Sequence, residues 1–310
     1  MDLVTQDRQI TVVNPQTIQE LVDRFIASQD VKESSKKLYR RTLKQYFNWI
    51  EEKRYFLGDV ARPQLLEYKE GLLSSGMSSL TVSSYITSVR RFYEWTEANK
   101  IYPNIAKGIK TPRRKQQFKK QPLLPSQATE LLNHYKGARD YAIISLLLRT
   151  GLRTIEIIRA NVEDIVFKGS QRVLLVHGKG RDEKDNFVLL TDKTYQPLKA
   201  YLETRIDPKG SEPLFTSSSN NNQGKRLTTR SISFIAKEGL KAIGLDSKEF
   251  TAHSLRHTTA VNILRAGGSI ETAQFTLRHT NPATTQIYTA TLNEERRLQN
   301  SGEALLDSLY

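Results

Sequence analysis

Apolar residues recur at helical spacing through most of the first hundred positions. From Pro15 onward Ile18, Leu21, Val22, Phe25 and Ile26 fall on one face of a helix, and Tyr39, Leu43, Tyr46, Phe47 and Ile50 do the same in the next segment. A shorter segment over 65–73 opens behind Pro63, a residue tolerated in a first helical turn. A longer one carries Val82, Tyr85, Ile86, Val89, Phe92 and Tyr93 and ends near Asn99. These segments predict a four-helix domain over 15–102, preceded by an extension, 1–14.

Over 103–124 the apolar period disappears and cations accumulate: Lys107, Lys110, Arg113, Arg114, Lys115, Lys119 and Lys120, with no acidic residue among them. The segment reads as a basic interdomain linker. A solvated charge run is one account of it; a linker that crosses a phosphate backbone, with Lys107, Lys110, Arg113, Arg114 and Lys115 as contacts, is the better one, because the charge lies where two domains would close around a duplex.

The second half has a mixed pattern. Ser126 caps a short helix through 132, and 140–148 forms another with a solid apolar face before Gly151 breaks the chain. The runs 172–176 and 186–190 read as two antiparallel strands, with Gly178, Lys179 and Gly180 leaving the first. Helical patterns resume over 195–203, 231–242, 254–265, 270–277 and 293–309. The expected fold class is therefore mainly α (α+β), a helical domain at 15–102 followed by a mostly helical domain at 125–290 with one small antiparallel sheet. A last helix lies within 291–310.

Charge narrows the choice of partner. The 310 residues include 47 lysines and arginines against 33 acidic residues, a formal charge of +14. Such a chain is drawn to polyanions, and nucleic acid is the first candidate. The absence of cysteine removes disulfides, zinc–cysteine sites and thiol catalysis and is consistent with a reducing cytosol. The first residues are too polar for a signal peptide, and the best apolar run, 141–148, is too short to span a bilayer. A cytoplasmic protein without a membrane partner is expected. The patch Ser217, Ser218, Ser219, Asn220, Asn221, Asn222 reads as an exposed loop.

Candidate chemistry is concentrated after residue 149. In His253-Ser254-Leu255-Arg256-His257 the first histidine and the arginine are three apart, so one helical face presents both to the same ligand. His253 and His257 have a zinc-compatible spacing, but Arg256 would oppose a metal and no glutamate follows His253 to act as base. His257 reads as a core histidine. Arg153 follows the Gly151 turn, and its planar fork suits two oxygens of a phosphate. Glu156, three residues on, either holds that fork or favours the first turn of its own helix.

The strings Thr-Gly-Leu-Arg-x-x-Glu at 150–156, His-Gly-Lys-Gly at 177–180, His-x-Leu-Arg-His at 253–257, and Leu277-Arg278-His279 followed nine residues later by Tyr288, occur in the order and spacing of one family. The sequence resembles the tyrosine recombinases, or phage integrases, and its layout is similar to the two-domain Xer-type and transposon members. The likeness extends to the four-helix unit, which resembles that family's core-binding domain. It implies a DNA recombinase that cuts and rejoins strands through a 3′-phosphotyrosyl intermediate, without metal, ATP or other cofactor.

Carried over residue by residue, the resemblance implies that Arg153 and Arg256 clamp the scissile phosphate and that Lys179 protonates the departing 5′-hydroxyl. It assigns proton transfer to His253, a hydrogen bond to a phosphate oxygen to His279, and nucleophilic attack to Tyr288. Double-stranded recombination sites are the implied partner, bound by a homotetramer on two duplexes, with accessory or directionality factors as further partners at the nucleoid. The family commonly has glycine where Arg278 stands, which puts the local turn in question and raises the prospect of an added phosphate contact. Leu298, Leu305, Leu306 and Leu309 would let the last helix pack on a neighbouring protomer or on its own domain. Integration or excision of a mobile element and Xer-type resolution are the implied roles. The alternatives are a type IB topoisomerase, sharing the phosphotyrosine, and a DNA-binding protein without catalysis.

Overall fold

A computed structural model of the chain describes residues 15–112, 120–177, 183–279, 281, 283–299, 302–307 and 309. The extension 1–14 and the candidate residues Arg113, Arg114, Lys115 and Lys179 lie outside the described residues. The chain divides into two units, Met1–Gln117 and Phe118–Tyr310.

The first unit contains α1 (Pro15–Ser28), α2 (Glu33–Glu52), α3 (Arg62–Ser74) and α4 (Ser79–Ala98). Pro63 lies in the first turn of α3, where its missing N–H costs nothing, and the Ser78 hydroxyl accepts the Thr81 N–H at 3.2 Å to start α4. The apolar faces meet in an aromatic core in which Phe25 meets Phe92 edge-on, as does Phe47. The buried hydroxyls of Tyr46 and Tyr93 satisfy each other at 2.9 Å. Ala106 and Ile109, which the linker reading places between domains, are buried in this core. The linker is therefore shorter than 103–124: two apolar residues among the cations suffice to fasten its first part to the unit. Lys107 and Lys110 are exposed.

The second unit opens with α5 (Pro125–His134), α6 (Ala138–Thr150) and α7 (Thr154–Arg159). Its sheet comprises β1 (Ile165–Lys168), β2 (Gln171–Val176) and β3 (Asn186–Leu189), antiparallel in that order, with Val166 opposite Val173 and Leu174 opposite Val188. The sheet thus has one strand more than the two expected. Then come α8 (Asp192–Glu203), α9 (Thr229–Ala242), α10 (Ala252–Arg265), α11 (Ile270–Leu277), α12 (Ala283–Gln299) and α13 (Gly302–Asp307). The helix expected over 293–309 is in fact the end of α12 followed by the separate α13, and α12 begins ten residues earlier than that reading placed it. No helix among the described residues is long and apolar enough to cross a membrane.

The middle of this unit is the packing of α6 on α8 and α10. Ala142, Ile143, Ile144, Leu146 and Leu147 of α6 are all buried, so this helix is apolar around most of its circumference, as a central helix must be. Two threonines of α10 that come inside are bonded: Thr259 Oγ1 donates to the Leu148 carbonyl at 2.9 Å, and Thr258 Oγ1 accepts the Leu123 N–H at 2.8 Å. Leu123 is wholly buried, and its carbonyl accepts from Arg265 at 3.1 Å. The last residues of the expected linker therefore belong to the second unit.

Gly151 ends α6 in the left-handed region, φ 60° and ψ 27°, and turns the chain into α7. A Cβ there would run into Leu277 Cδ2 and press on Thr259. Gly151→Ala is expected to destabilise the second unit by roughly 2–4 kcal/mol, combining the left-handed penalty with overpacking. Both tryptophans, Trp49 and Trp95, pack in the first unit, so the measurement is amide hydrogen exchange in α6 and α10 rather than intrinsic fluorescence. Unchanged protection in the variant would refute the steric account.

Candidate active site

Three chain segments converge around the Gly151 turn: the start of α7, the buried face of α10 and the end of α11. Arg153 is the cap residue of α7, and Glu156 binds it twice. One carboxylate oxygen, Oε2, accepts the Arg153 backbone N–H at 2.7 Å, while Oε1 accepts its Nη1 at 2.8 Å. The two readings of Glu156 are therefore the same contact set: one carboxylate caps the helix and fixes the guanidinium. Glu156 is 3% exposed. Burial would raise its pKa, but the charge of Arg278, the Arg153 N–H and the charges of Arg153 and Arg256 together hold it below the usual carboxylate range.

Arg256 is 1% exposed. Its Nη1 donates to the Gly151 carbonyl and its Nη2 to the Leu277 carbonyl, so the guanidinium joins the turn after α6 to the last residue of α11. Desolvation, reinforced by the charges of Arg153 and Arg278, lowers its pKa to about 9, which leaves it protonated at neutral pH. Arg153, His253 and Arg256 line a recess of about 300 Å³ together with Leu152, Ser233 and Thr251. The i and i+3 spacing of the histidine and the arginine thus does place both on one wall.

Tyr288 lies on α12, a turn after its start, and is 3% exposed. Its ring is set edge-on to His257, centroids 5.2 Å apart, and stacks at 14° on His279 with centroids 6.2 Å apart. His257 in turn meets His253 edge-on at 4.7 Å. Leu277, Leu292, Ala260 and Leu264 complete the apolar part of this cluster. Burial pushes the phenol pKa up, while Arg256 and Arg153 pull it down. His279 Nδ1 is 3.0 Å from Thr285 Oγ1, a contact within the segment that leads into α12.

The histidines are held neutral. Desolvation first, then neighbouring positive groups, lowers His257 to about 3 and His279 to about 4, and the same causes lower His253, for which Arg256, Arg153 and Lys120 supply the repulsion. Among the described residues no group of three or more histidines, cysteines and carboxylates could hold a metal ion.

The structure therefore brings Arg153, Glu156, His253, Arg256, His279 and Tyr288 into one neighbourhood. Lys179 belongs to the connection between β2 and β3 and lies outside the described residues. Arg278 was noticed in the sequence only as a departure from glycine. It adopts φ 54° and ψ 46° at the end of α11 and turns its side chain inward, Nη2 donating to Glu156 Oε2 at 2.9 Å. The fork for which the sequence raised an added phosphate contact is engaged here in a buried ion pair. No local pattern announces such a contact, because Glu156 and Arg278 are remote in sequence.

A family model described as the phage integrase family matches residues 121–295. The tyrosine recombinase XerD of Staphylococcus epidermidis is 31% identical over 268 residues, 81% of this chain and 85% of that protein. A tyrosine recombinase of Pseudothermotoga lettingae is 30% identical over 262 residues, 83% of this chain and 87% of that protein. Among solved structures, XerH recombinase bound to palindromic difH substrate in a post-cleavage complex matches with a TM-score of 0.72 at 18% identity, over 93% of this chain and 85% of that one. The Tn1549 transposon integrase in complex with transposon right end DNA matches with a TM-score of 0.66 at 19% identity, over 91% of this chain and 99% of that one. At these identities the two structures establish a shared fold. The family match and the sequence identity to full-length relatives together show that the chain belongs to the phage integrase family and is a tyrosine-type site-specific recombinase.

Proposed function

We propose that Tyr288 is the nucleophile of strand cleavage and that Arg153, Lys179, His253, Arg256 and His279 serve it. The observation that carries this reading is the position of the Tyr288 phenol, packed between the His257 and His279 rings and within the field of Arg256 and Arg153. In the proposed step the phenolic oxygen bonds to phosphorus as its proton passes to neutral His253, while His279 donates a hydrogen bond to a phosphate oxygen. The bond from phosphorus to the 5′-oxygen breaks, Lys179 protonates that oxygen, and a 3′-phosphotyrosine remains. Attack by the 5′-hydroxyl of a second strand reverses the step and rejoins DNA. The ester is exchanged rather than consumed, so neither ATP nor a divalent metal is required.

Arg153 and Arg256 would hold the non-bridging oxygens, whose charge grows as the fifth oxygen approaches phosphorus. Arg256 spends donors on two carbonyls and keeps others on the same fork for the phosphate. The partner is double-stranded DNA at a recombination site, as in the XerH and Tn1549 complexes, and the exposed Lys107 and Lys110 are candidate phosphate contacts. A tetramer on two duplexes would bring the second strand. Its support here is the exposure of Leu298, Leu305, Leu306 and Leu309, apolar side chains of the C-terminal segment that do not bury themselves in their own unit. Integration, excision or resolution on cytoplasmic, nucleoid-held DNA is the corresponding role.

Tyr288→Phe removes the attacking oxygen and little else. Wild-type protein is expected to form a covalent adduct on a nicked suicide substrate, in the presence of EDTA, and the variant to form none while retaining DNA binding. An adduct in the variant would reassign the nucleophile. Relaxation of supercoils by a monomer without site preference would favour the topoisomerase reading.

For Lys179→Ala the expected cleavage rate is about a hundredfold or more below wild type, within the range for a general acid. A 5′-bridging phosphorothioate, whose sulfur leaves without needing a proton, is expected to restore most of it. A deficit that persists with sulfur would remove Lys179 from the leaving-group role.

His257 carries a pH signature. Its folded pKa, about 3, lies below the unfolded value of about 6.5, so the unfolded chain binds the extra proton between these limits. The stability this ring contributes is complete above about pH 6.5 and is lost as pH falls. On acidification to pH 5 the expected loss from this ring alone is on the order of 2 kcal/mol, seen as faster exchange of α10 amides, and His257→Phe should make the dependence shallower while the shares of His253 and His279 remain. Equal pH slopes in both proteins would contradict the buried, neutral assignment.

A further inference from the structure

Arg278 pays a conformational cost for its place. It ends α11 in the left-handed region, where glycine fits without strain, yet its side chain is folded inward and only 8% exposed. Nη1 donates to the Thr276 carbonyl at 2.7 Å and Nη2 to Glu156 Oε2 at 2.9 Å. That same oxygen accepts the Arg153 N–H at 2.7 Å, and the other oxygen of the carboxylate holds Arg153 Nη1 at 2.8 Å. A single buried carboxylate is therefore shared by two guanidiniums from opposite sides. One belongs to the start of α7 and the other to the end of α11, immediately before His279.

We propose that Arg278 is a positioning residue for strand cleavage: by holding the second side of Glu156 it fixes the Arg153 fork toward the phosphate and sets its spacing from His279. This inference rests on the assignment of Arg153 to the scissile phosphate. The geometry explains why the two terminal nitrogens of Arg278 are directed to acceptors rather than outward. Without Arg278 the carboxylate is tied to Arg153 alone, through its backbone N–H and its Nη1, and can shift with the start of α7. Held on both sides, it presents Arg153 in one orientation, and small misplacements of such a group are costly in rate. Arg256 reinforces the same junction by joining the Gly151 and Leu277 carbonyls.

The test is single-turnover cleavage of a suicide substrate at saturating protein, with DNA affinity measured separately, for wild type, Arg278→Gly, Arg278→Lys, Arg153→Ala and the double variant Arg278→Gly/Arg153→Ala. Arg278→Gly suits the backbone better than arginine does, so a purely structural role predicts unchanged cleavage. Positioning predicts that Arg278→Gly slows cleavage by about 10- to 100-fold with affinity unchanged, that lysine, a point charge without the fork, recovers only part of it, and that glycine adds no further loss in the Arg153→Ala background. Wild-type cleavage by Arg278→Gly, or losses that multiply in the double variant, overturn the proposal while leaving the assignment of Tyr288 and Arg153 intact. If Arg278→Gly fails to fold, the lysine variant decides alone: full activity refutes a need for the fork. Absence of any wild-type adduct removes the underlying function and this inference with it.

Discussion

Three guanidiniums are held around one carboxylate in a place largely closed to water, and the rest of the site follows from that imbalance of charge. Arg153, Arg256 and Arg278 face Glu156 alone, and Arg256 finds its remaining compensation in two backbone carbonyls. Buried like charges are tolerable only when each is hydrogen-bonded, and here each guanidinium has at least one acceptor, although the Nε of Arg278 is buried without one. The surplus is a standing positive potential that an entering phosphate would relieve. A cleft of this kind binds an anion because it is already arranged for one, with no reorganisation at the moment of reaction.

The fold supplies this arrangement through one glycine and two central helices. Without the left-handed turn at Gly151, α7 could not start where its cap residue reaches Glu156, and the carbonyl that anchors Arg256 would point elsewhere. The buried helix α6 delivers that turn, and α10 passes beside it with Thr259, whose hydroxyl lies within bonding distance of the Leu147 and Leu148 carbonyls at its end. Packing of α11 and α12 on α10 then brings the Leu277 carbonyl and the Tyr288 ring to the same place. Core and active site are thus one construction: the residues that stabilise the crossing of α6 and α10 also determine where the charges lie.

Much of this was legible in the chain, and the gaps have physical causes. Amphipathic helices such as α2 and α4 announce themselves because one face is apolar and the other is not. The order of Arg153, Lys179, His253, Arg256, His279 and Tyr288 could be matched to the family because the roles proposed for them constrain residue type tightly. β1 escaped notice because it is a four-residue strand with only half-buried and exposed positions, too short for alternation to show. The start of α12 was missed since its polar run through Thr284, Thr285 and Gln286 lacks an apolar stripe. Ala106 and Ile109 were hidden among lysines, where charge suggested solvent. Arg278 defeated local reasoning altogether: its backbone conformation argues for glycine, and only the remote carboxylate of Glu156 accounts for the arginine.

The same charge imbalance orders the chemistry in time. In the protein without DNA, the phenol of Tyr288 is raised by burial and remains protonated, while His253, His257 and His279 are lowered by desolvation and by the arginines and remain unprotonated. A neutral imidazole has a free acceptor nitrogen, but a ring lowered to about 4 is a poor base. On the proposed reading, a phosphate placed on Arg153 and Arg256 would offset the share of the depression of His253 and His279 that comes from the arginines, while the larger share, set by desolvation, stays in place. The same anion would also cancel the pull that Arg256 and Arg153 exert on the phenol, so in the proposed reaction the proton leaves Tyr288 together with the approach of its oxygen to phosphorus and not ahead of it.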